Sequence, residues 1–305
     1  MKILFVGFGS IAKKHLEIIK KIDTSAKFFS ISRDQKKLNE YGIIQIKNSE
    51  IKKNDLDAII ISNPSFNHCK SILDYFDLKL PMMVEKPVCI NIRQYKILQK
   101  LSIQNSPLIY NACNLRFHPL IVFFKDFIKN KTSKINEVNV YCGSYLPNWR
   151  KDRDYSSYYS SNKELGGGVD LDLIHEIDYV VYLFGFPKRI EKSSRKVSKL
   201  KTDSDDFTHY LLSYENFSVM ITLNYYRIDS RRYMEVVMDD DTLYLDFIDD
   251  KVNSFKQNKS LINVKGNGIE QSYFNQMKYF ISLINNKKPN LNGLHEALEI
   301  LKLAL

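Results

Sequence analysis

The stretch Lys2-Ile3-Leu4-Phe5-Val6-Gly7-Phe8-Gly9-Ser10-Ile11-Ala12 decides the fold. Lys2 to Val6 reads as a short apolar strand. Gly7 permits a tight turn, Gly9 lets a pyrophosphate approach the backbone, and Ala12 in the third place keeps helix and strand close. Ile11, His15, Ile18, Ile19 and Ile22 then recur at helical intervals. G-x-G-x-x-A alone is a weak signal, and a chance turn is its rival. Strand, glycine turn and helix at the head of a chain make the dinucleotide-binding reading the stronger one.

Outward from that turn the same alternation continues. Lys27 to Ser32 is the second strand, whose end meets the adenosine ribose in such folds. An acid there would bind the 2′-hydroxyl of NAD. This chain has Ser32-Arg33, a hydroxyl and a guanidinium that suit the 2′-phosphate of NADP. NADP is favoured and NAD stays open, with Asp34 on the ribose or Ser32-Arg33 merely capping the next helix. Asp57 to Ser62 is an apolar strand of the kind buried on both faces of a parallel sheet. Asn63-Pro64 ends it, and Phe66 to Phe76 is helical. Pro81 to Val84 is another strand and runs into Glu85-Lys86-Pro87, which places a lysine where parallel sheets bind ligands. Leu108 to Ala112 is the sixth strand, and Asn114-Leu115-Arg116-Phe117-His118-Pro119 leads out of the first domain.

A second glycine stretch, Gly166-Gly167-Gly168, opens a helix with Leu173, Ile177, Val180, Val181 and Phe184 as its buried stripe. The glycines allow close approach of another group. Asp172 and His175, three apart, are expected on one face of that helix, where the carboxylate can orient the imidazole as a general base. A solvated first turn with acids at the positive helix end is the plain alternative. His175-Glu176-Ile177-Asp178 starts like a zinc-protease motif, but Asp178 and Tyr179 offer no second imidazole.

Between these motifs lies Tyr145 to Lys163, rich in Tyr, Arg and Asp, with the only tryptophan, Trp149. It reads as too polar for a core. Its aromatics suit apolar sugar faces and its charged groups suit hydroxyls, although a plain surface loop or a subunit arm would look alike. Pro119 to about Lys129 is helical and Val138 to Tyr145 alternates as a strand. Alternating strands follow at Arg189–Val197, Phe207–Tyr214, Ser218–Tyr225, Tyr233–Met238 and Thr242–Phe247. They predict an antiparallel sheet with one face to be covered, and a subunit partner is a reasonable cover. Helices at about Gln271–Ile284 and Leu294–Leu305 close the chain.

The bulk composition agrees with about two globular domains. With 305 residues, 44% of them hydrophobic, the chain can bury sizeable cores. No apolar run reaches transmembrane length and the start is not a signal peptide, so a cytoplasmic protein without membrane partners is expected. The four cysteines are far apart and form no C-x-x-C pair, which predicts reduced thiols and no structural metal. The net charge of +10 comes from scattered lysine pairs without a nucleic-acid motif. It reads as a solvated surface that attracts anionic substrates, with no nucleic-acid partner.

Gly7-Phe8-Gly9-Ser10-Ile11 with His15, Glu85-Lys86-Pro87, Asn114 to Pro119, and Gly166 to Gly168 with Asp172 and His175 occur in that order. Together they resemble the glucose–fructose oxidoreductase and inositol dehydrogenase (Gfo/Idh/MocA) family over nearly the whole chain. Tyr145 to Arg150, Asp154-Tyr155 and His175 to Tyr179 are similar to a branch associated with bacterial surface-sugar biosynthesis. The resemblance implies an α/β fold: an N-terminal Rossmann domain, 1–118, and a C-terminal α+β domain, 119–305, with a large, mostly antiparallel sheet for substrate and oligomer contacts, in a homodimer or homotetramer. It implies an NADP- or NAD-dependent oxidoreductase acting on a sugar or sugar derivative, the alternatives being a non-catalytic cofactor-binding sensor of the same fold and an imine or enone reductase of the same family. Lys86, His175 and Asp172 map to the catalytic positions. His175 would move the hydroxyl proton, Asp172 would orient it, and Lys86 would stabilise alkoxide charge or itself be the acid/base. Many members space the Asp and His four apart rather than three, which leaves Asp178 as a spare acid. Cofactor contacts are expected from Gly7, Phe8, Gly9, Ser10, Ile11, Ser32, Arg33, Ser62, Asn63, Pro64, His68, Glu85, Lys86, Asn114 and Arg116. Substrate contacts are expected from Lys86, Tyr145, Trp149, Arg150, Asp172 and His175.

Overall fold

A computed structural model describes every residue except 33, 104–106, 131–132, 151–153 and 286–288. The chain divides into two compact units. One comprises Met1–Asn114, Tyr273–Leu303 and Leu305; the other comprises Leu115–Ser272 and Ala304. The boundary therefore precedes Leu115 instead of following His118, and the expected 119–305 domain loses its last helices to the first unit. The reason is local. Asn290 and Asn292 pair with the backbone of Ile109 and Asn111, and Phe280 stacks on Tyr110. These contacts attach the C-terminal chain to the last strand of the first sheet.

The first unit runs β1 (Lys2–Val6), α1 (Ser10–Ile22), β2 (Lys27–Ser30), α2 (Gln35–Glu40), β3 (Ile44–Gln45), β4 (Ala58–Ile61), α3 (His68–Tyr75), β5 (Met82–Glu85), α4 (Ile92–Ser102) and β6 (Ile109–Ala112). Its strands are parallel in the order β3-β2-β1-β4-β5-β6. Such a sheet is covered on both faces, and β4 is apolar and buried throughout for that reason. The strand order reverses between β1 and β4, the place where open α/β sheets receive ligands. Helix α1 turns Ala12, His15, Leu16, Ile18 and Ile19 inward and ends on Lys20 and Lys21, which suit its negative end.

The second unit holds α5 (Pro119–Lys129), β7 (Ile135–Tyr145), α6 (Val169–Asp172), α7 (Ile174–Phe184), β8 (Arg189–Arg195), β9 (Phe207–Ser213), β10 (Ser218–Asn224), β11 (Tyr226–Met238), β12 (Thr242–Asp246), β13 (Lys251–Ser254) and β14 (Lys259–Asn263). The sheet order is β14-β13-β12-β11-β7-β10-β9-β8, antiparallel except for the β7–β10 pair. One face buries Val138, Val140, Tyr210, Leu212, Ile221 and Val236. On β7, β11 and β12, Tyr141, Tyr233 and Tyr244 stack in a row across neighbouring strands. The polar strands β13 and β14 have no strong alternation and escape a reading by pattern. α8 (Gly268–Ile284) and α9 (Leu294–Ala304) complete the chain. All four cysteines are buried thiols outside any disulfide. Among the described residues no helix is long and apolar enough to cross a membrane.

Candidate active site

In the first unit, chain geometry builds a place for a dinucleotide. Gly7 has φ 89° and lies against Asn63, so a Cβ there would sit 2.6 Å from the Asn63 backbone. Gly9 is the reverse case: a Cβ on it would meet no atom of the described residues within 4 Å. Gly9 is also the N-cap of α1 without a side-chain cap, which leaves that helix's first amides to a ligand. Open space beside an uncapped helix start fits the pyrophosphate of a dinucleotide. Phe8, half of the same turn, packs its ring on Phe5 and Tyr41 and is buried, so only its backbone faces outward duties. Ser10 is exposed and Ile11 half-buried.

The strand ends are braced against that turn. Ser62 donates its hydroxyl to the Gly7 carbonyl at 3.0 Å. Buried His15 of α1 bonds Glu85 at 2.6 Å through Nε2, which joins the glycine-turn helix to the end of β5. Lys86 follows, half-buried, with a cis Lys86–Pro87 peptide. His68 is buried with Nδ1 2.7 Å from the Pro87 carbonyl and Nε2 2.8 Å from the Asn63 carbonyl. Burial pushes its imidazole below the usual range, and the two carbonyls pull the other way. The ring nitrogen that carries the proton donates to its carbonyl, so His68 is held between two strand-end loops inside the protein. Asn63 donates to Ser71 at 2.8 Å, and Pro64 is exposed beside it. Asn114 is buried at the unit's edge.

At the ribose end, β2 stops at Ser30, two residues earlier than alternation suggests. The Ser30 hydroxyl turns back to the Phe5 carbonyl and accepts from the Ser32 amide. Arg33 lies outside the described residues. Asp34 caps α2 by accepting from the Lys37 amide at 3.1 Å.

In the second unit the structure corrects two expectations and makes a third specific. Asp172 and His175 do not share one helix. Leu173 leaves the helical region at φ −101°, ψ 28°, so Asp172 ends α6 and His175 stands in the first turn of α7. Side-chain anchoring accounts for the break. Asp170 accepts from Tyr210 at 2.6 Å and pairs with Lys192 at 3.0 Å, while Asp172 accepts from Tyr225 at 2.6 Å. Both carboxylates of the short helix are drawn toward hydroxyls of the sheet, and α7 must start afresh. Second, the group that approaches the glycine triplet is the chain itself. A Cβ on Gly167 would lie 2.3 Å from the Tyr159 carbonyl and 2.6 Å from those of Ser160 and Asn162. Third, the Tyr145–Lys163 segment is not wholly superficial: Leu146, Tyr158, Ser160 and Ser161 are buried in it.

The remaining residues find definite partners. Asp178 is no spare acid. It takes a bidentate bond from Arg116, Nε and Nη2 each at 2.8 Å, with both side chains buried. Arg116 thereby serves the second unit's interior. Trp149 is 38% exposed, donates to Ser144 at 2.8 Å, and meets Tyr225 edge to face at 5.4 Å. Arg150 is exposed, Tyr145 and His175 are half-buried. Sequence reading missed Tyr159 and Tyr225, both bonded to Asp172. Tyr159 lay in view within the tyrosine-rich loop. Tyr225 carried no signal, since it merely follows a strand.

Residues 1–111 match the family described as oxidoreductase, NAD-binding Rossmann fold, and residues 130–244 match the GFO/IDH/MocA C-terminal domain. No curated protein matches the chain by sequence. Among solved structures, an oxidoreductase from Thermotoga maritima is similar at TM-score 0.85 and 17% identity, over 100% of this chain and 94% of that one. A UDP-N-acetylglucosamine 3-dehydrogenase from Acidithiobacillus ferrooxidans is similar at TM-score 0.79 and 15% identity, over 100% and 95%. A myo-inositol dehydrogenase from Corynebacterium glutamicum is similar at TM-score 0.78 and 17% identity, over 100% and 94%. At these identities the likeness is one of fold.

Proposed function

The chain belongs to the Gfo/Idh/MocA oxidoreductase family, and on that premise we propose that it moves a hydride between a nicotinamide dinucleotide and a hydroxyl or keto carbon of a sugar or sugar derivative. The observation that carries the reading is the His15–Glu85 bond. It couples the open glycine turn to the strand end that bears Lys86, so cofactor site and cationic group belong to one braced unit. When bound, the dinucleotide supplies or takes up the hydride. Gly7, Gly9, Ser10 and Ile11 hold its pyrophosphate through the backbone, and Ser62, Asn63, Pro64 and Glu85 form the strand-end floor. Lys86 offers fixed positive charge to a developing alkoxide. His175 takes or returns the hydroxyl proton, and Asp172 orients and polarises it. Trp149, Tyr145 and Arg150 supply an aromatic face and hydrogen bonds suited to a sugar. That relatives in fold include dehydrogenases of a nucleotide-linked amino sugar and of inositol supports this substrate class. A panel of nucleotide-linked hexoses, free hexoses, inositols and nonulosonic acids, read by nicotinamide absorbance, tests it. Absence of turnover across the panel with both cofactors would overturn the sugar reading.

NADP is the proposed preferred cofactor. Asp34 is engaged as the cap of α2, which supports leaving the 2′-phosphate to Ser32 and Arg33. NADPH should bind several-fold tighter than NADH, and Arg33→Ala should erase most of the difference while sparing NADH. Fluorescence titration of both cofactors decides, and a preference for NADH in the wild type would return the ribose to an acid. A homodimer or homotetramer through the second unit's sheet is also proposed. Leu211 and Met220 on neighbouring strands are 36% and 46% exposed beside one another in register, and light scattering at micromolar concentration checks it.

A further inference from the structure

Asp172 is 5% exposed and sits at the end of a four-residue helix, cut off from α7 by Leu173. Its surroundings are specific. The Tyr225 hydroxyl donates to Oδ2 at 2.6 Å, and the Tyr159 hydroxyl bonds the same carboxylate. Tyr225 is itself immobilised: its ring is buried, its amide donates to the Asp206 carbonyl at 3.0 Å, and its carbonyl accepts from Leu146 at 2.8 Å. Tyr159 stands on the turn whose carbonyls press on Gly167. The Asp172 charge and burial raise the Tyr159 phenol above its ordinary range, and burial together with Asp172 does the same for Tyr225. Neither phenol can then act as a base near neutral pH. Each remains a protonated donor, and a carboxylate with two such donors keeps lone pairs for a further N–H.

We infer that Tyr159 and Tyr225 are positioning residues that hold Asp172 as a hydrogen-bond acceptor for the proton-transfer step. The inference rests on the proposed roles of Asp172 and His175. It assigns the tyrosine-rich loop a duty besides sugar contact: Tyr159 brings the loop's own turn onto the acid. It also explains why the acid can leave the helix that carries His175. Two phenols from other elements replace the orientation that a continuous helix would have provided.

The test compares Tyr159→Phe, Tyr225→Phe, the double variant and Asp172→Asn, using the substrate and cofactor that the panel identifies. Phenylalanine keeps the ring and deletes only the donor. The thermal midpoint should fall by only several degrees, as for one lost bond to a buried carboxylate, while dinucleotide affinity and the emission of the single tryptophan, which lies against Tyr225, should stay near wild type in each single variant. kcat should fall about tenfold to a hundredfold per lost donor, the range for hydrogen bonds to charged groups, with substrate KM within about threefold. Asp172→Asn combined with Tyr225→Phe should be little worse than Asp172→Asn alone, since both act through one carboxylate. Wild-type kcat in the double phenylalanine variant, alongside an impaired Asp172→Asn, would overturn this inference and leave the reading of Asp172 standing. Wild-type kcat in Asp172→Asn would overturn both.

Discussion

Two glycine stretches, each followed by a helix, look alike on paper and do opposite things. At Gly7-Phe8-Gly9 the turn is closed on one side, where Gly7 meets Asn63, and open on the other, where none of the described residues comes within 4 Å of a Cβ built on Gly9. At Gly167, the middle of the second stretch, the space is filled by carbonyls of residues 159, 160 and 162. The first stretch reserves room for a ligand. The second lets two pieces of one loop touch, and so fixes where Asp172 and Tyr159 meet. Glycine before a helix is therefore a statement about close approach; what approaches depends on chain that is distant in sequence.

The comparison is most exposed at Gly167. Gly167→Ala should cost about 3 kcal/mol or more, since the clash is with backbone carbonyls that cannot swing away. At that size the midpoint of the second unit falls by about 10 °C, with dinucleotide affinity of any folded fraction unchanged. Calorimetry with and without cofactor checks this, and a stable Ala variant would mean the stretch is open after all. Lys86→Ala should leave cofactor affinity within about an order of magnitude and lower turnover roughly a hundredfold. Retained turnover in steady-state assays would remove the open region's cation from the chemistry.

A smaller effect separates the interiors of the two units. His118 caps α5 by accepting from the Leu120 amide, is wholly buried, and faces Asp250 at 3.2 Å. Burial and the Arg232 guanidinium push its pKa down from 6.5 to about 4. The unfolded chain therefore takes up a proton below about pH 6.5 that the folded chain refuses until about pH 4, and stability drops through that window as pH falls. By pH 5 the loss is about 2 kcal/mol relative to pH 8. His118→Asn, which keeps a capping oxygen, should flatten that part of the pH profile of the urea midpoint. An identical slope in the variant would assign the acid sensitivity elsewhere. Least costly of all is Gly9→Ala. The added methyl meets no atom of the described residues, so the thermal midpoint should hold within a few degrees. It intrudes where a pyrophosphate belongs, so dinucleotide affinity should fall about tenfold, or about 1.4 kcal/mol. Unaltered affinity by isothermal titration would undo the contrast between the two glycine stretches.

How far the sequence reached follows from which interactions are local. The parallel sheet was legible because β1, β4 and β5 are continuous apolar runs and the glycine turn is contiguous with its helix. The large sheet was legible where alternation is strong, as in β9 and β10, and faded at β13 and β14, where the residues are polar. Lys86, Asp172 and His175 could be picked out because each sits in a short motif. The sequence could not place the break at Leu173, because helical spacing predicts a continuous turn unless a distant hydroxyl draws the carboxylates away. Nor could it pair Arg116 with Asp178, 62 residues apart, join His15 to Glu85 across 70, or send the last helices back to the first unit. Periodicity and glycine report on neighbours along the chain, and from them came the parallel sheet, the cofactor turn and the alternating strands, while the resemblance to the family supplied the proposed catalytic residues. Which side chain satisfies which buried charge was decided by tertiary structure, because a buried carboxylate or guanidinium takes whatever partner the folded chain brings within about 3 Å.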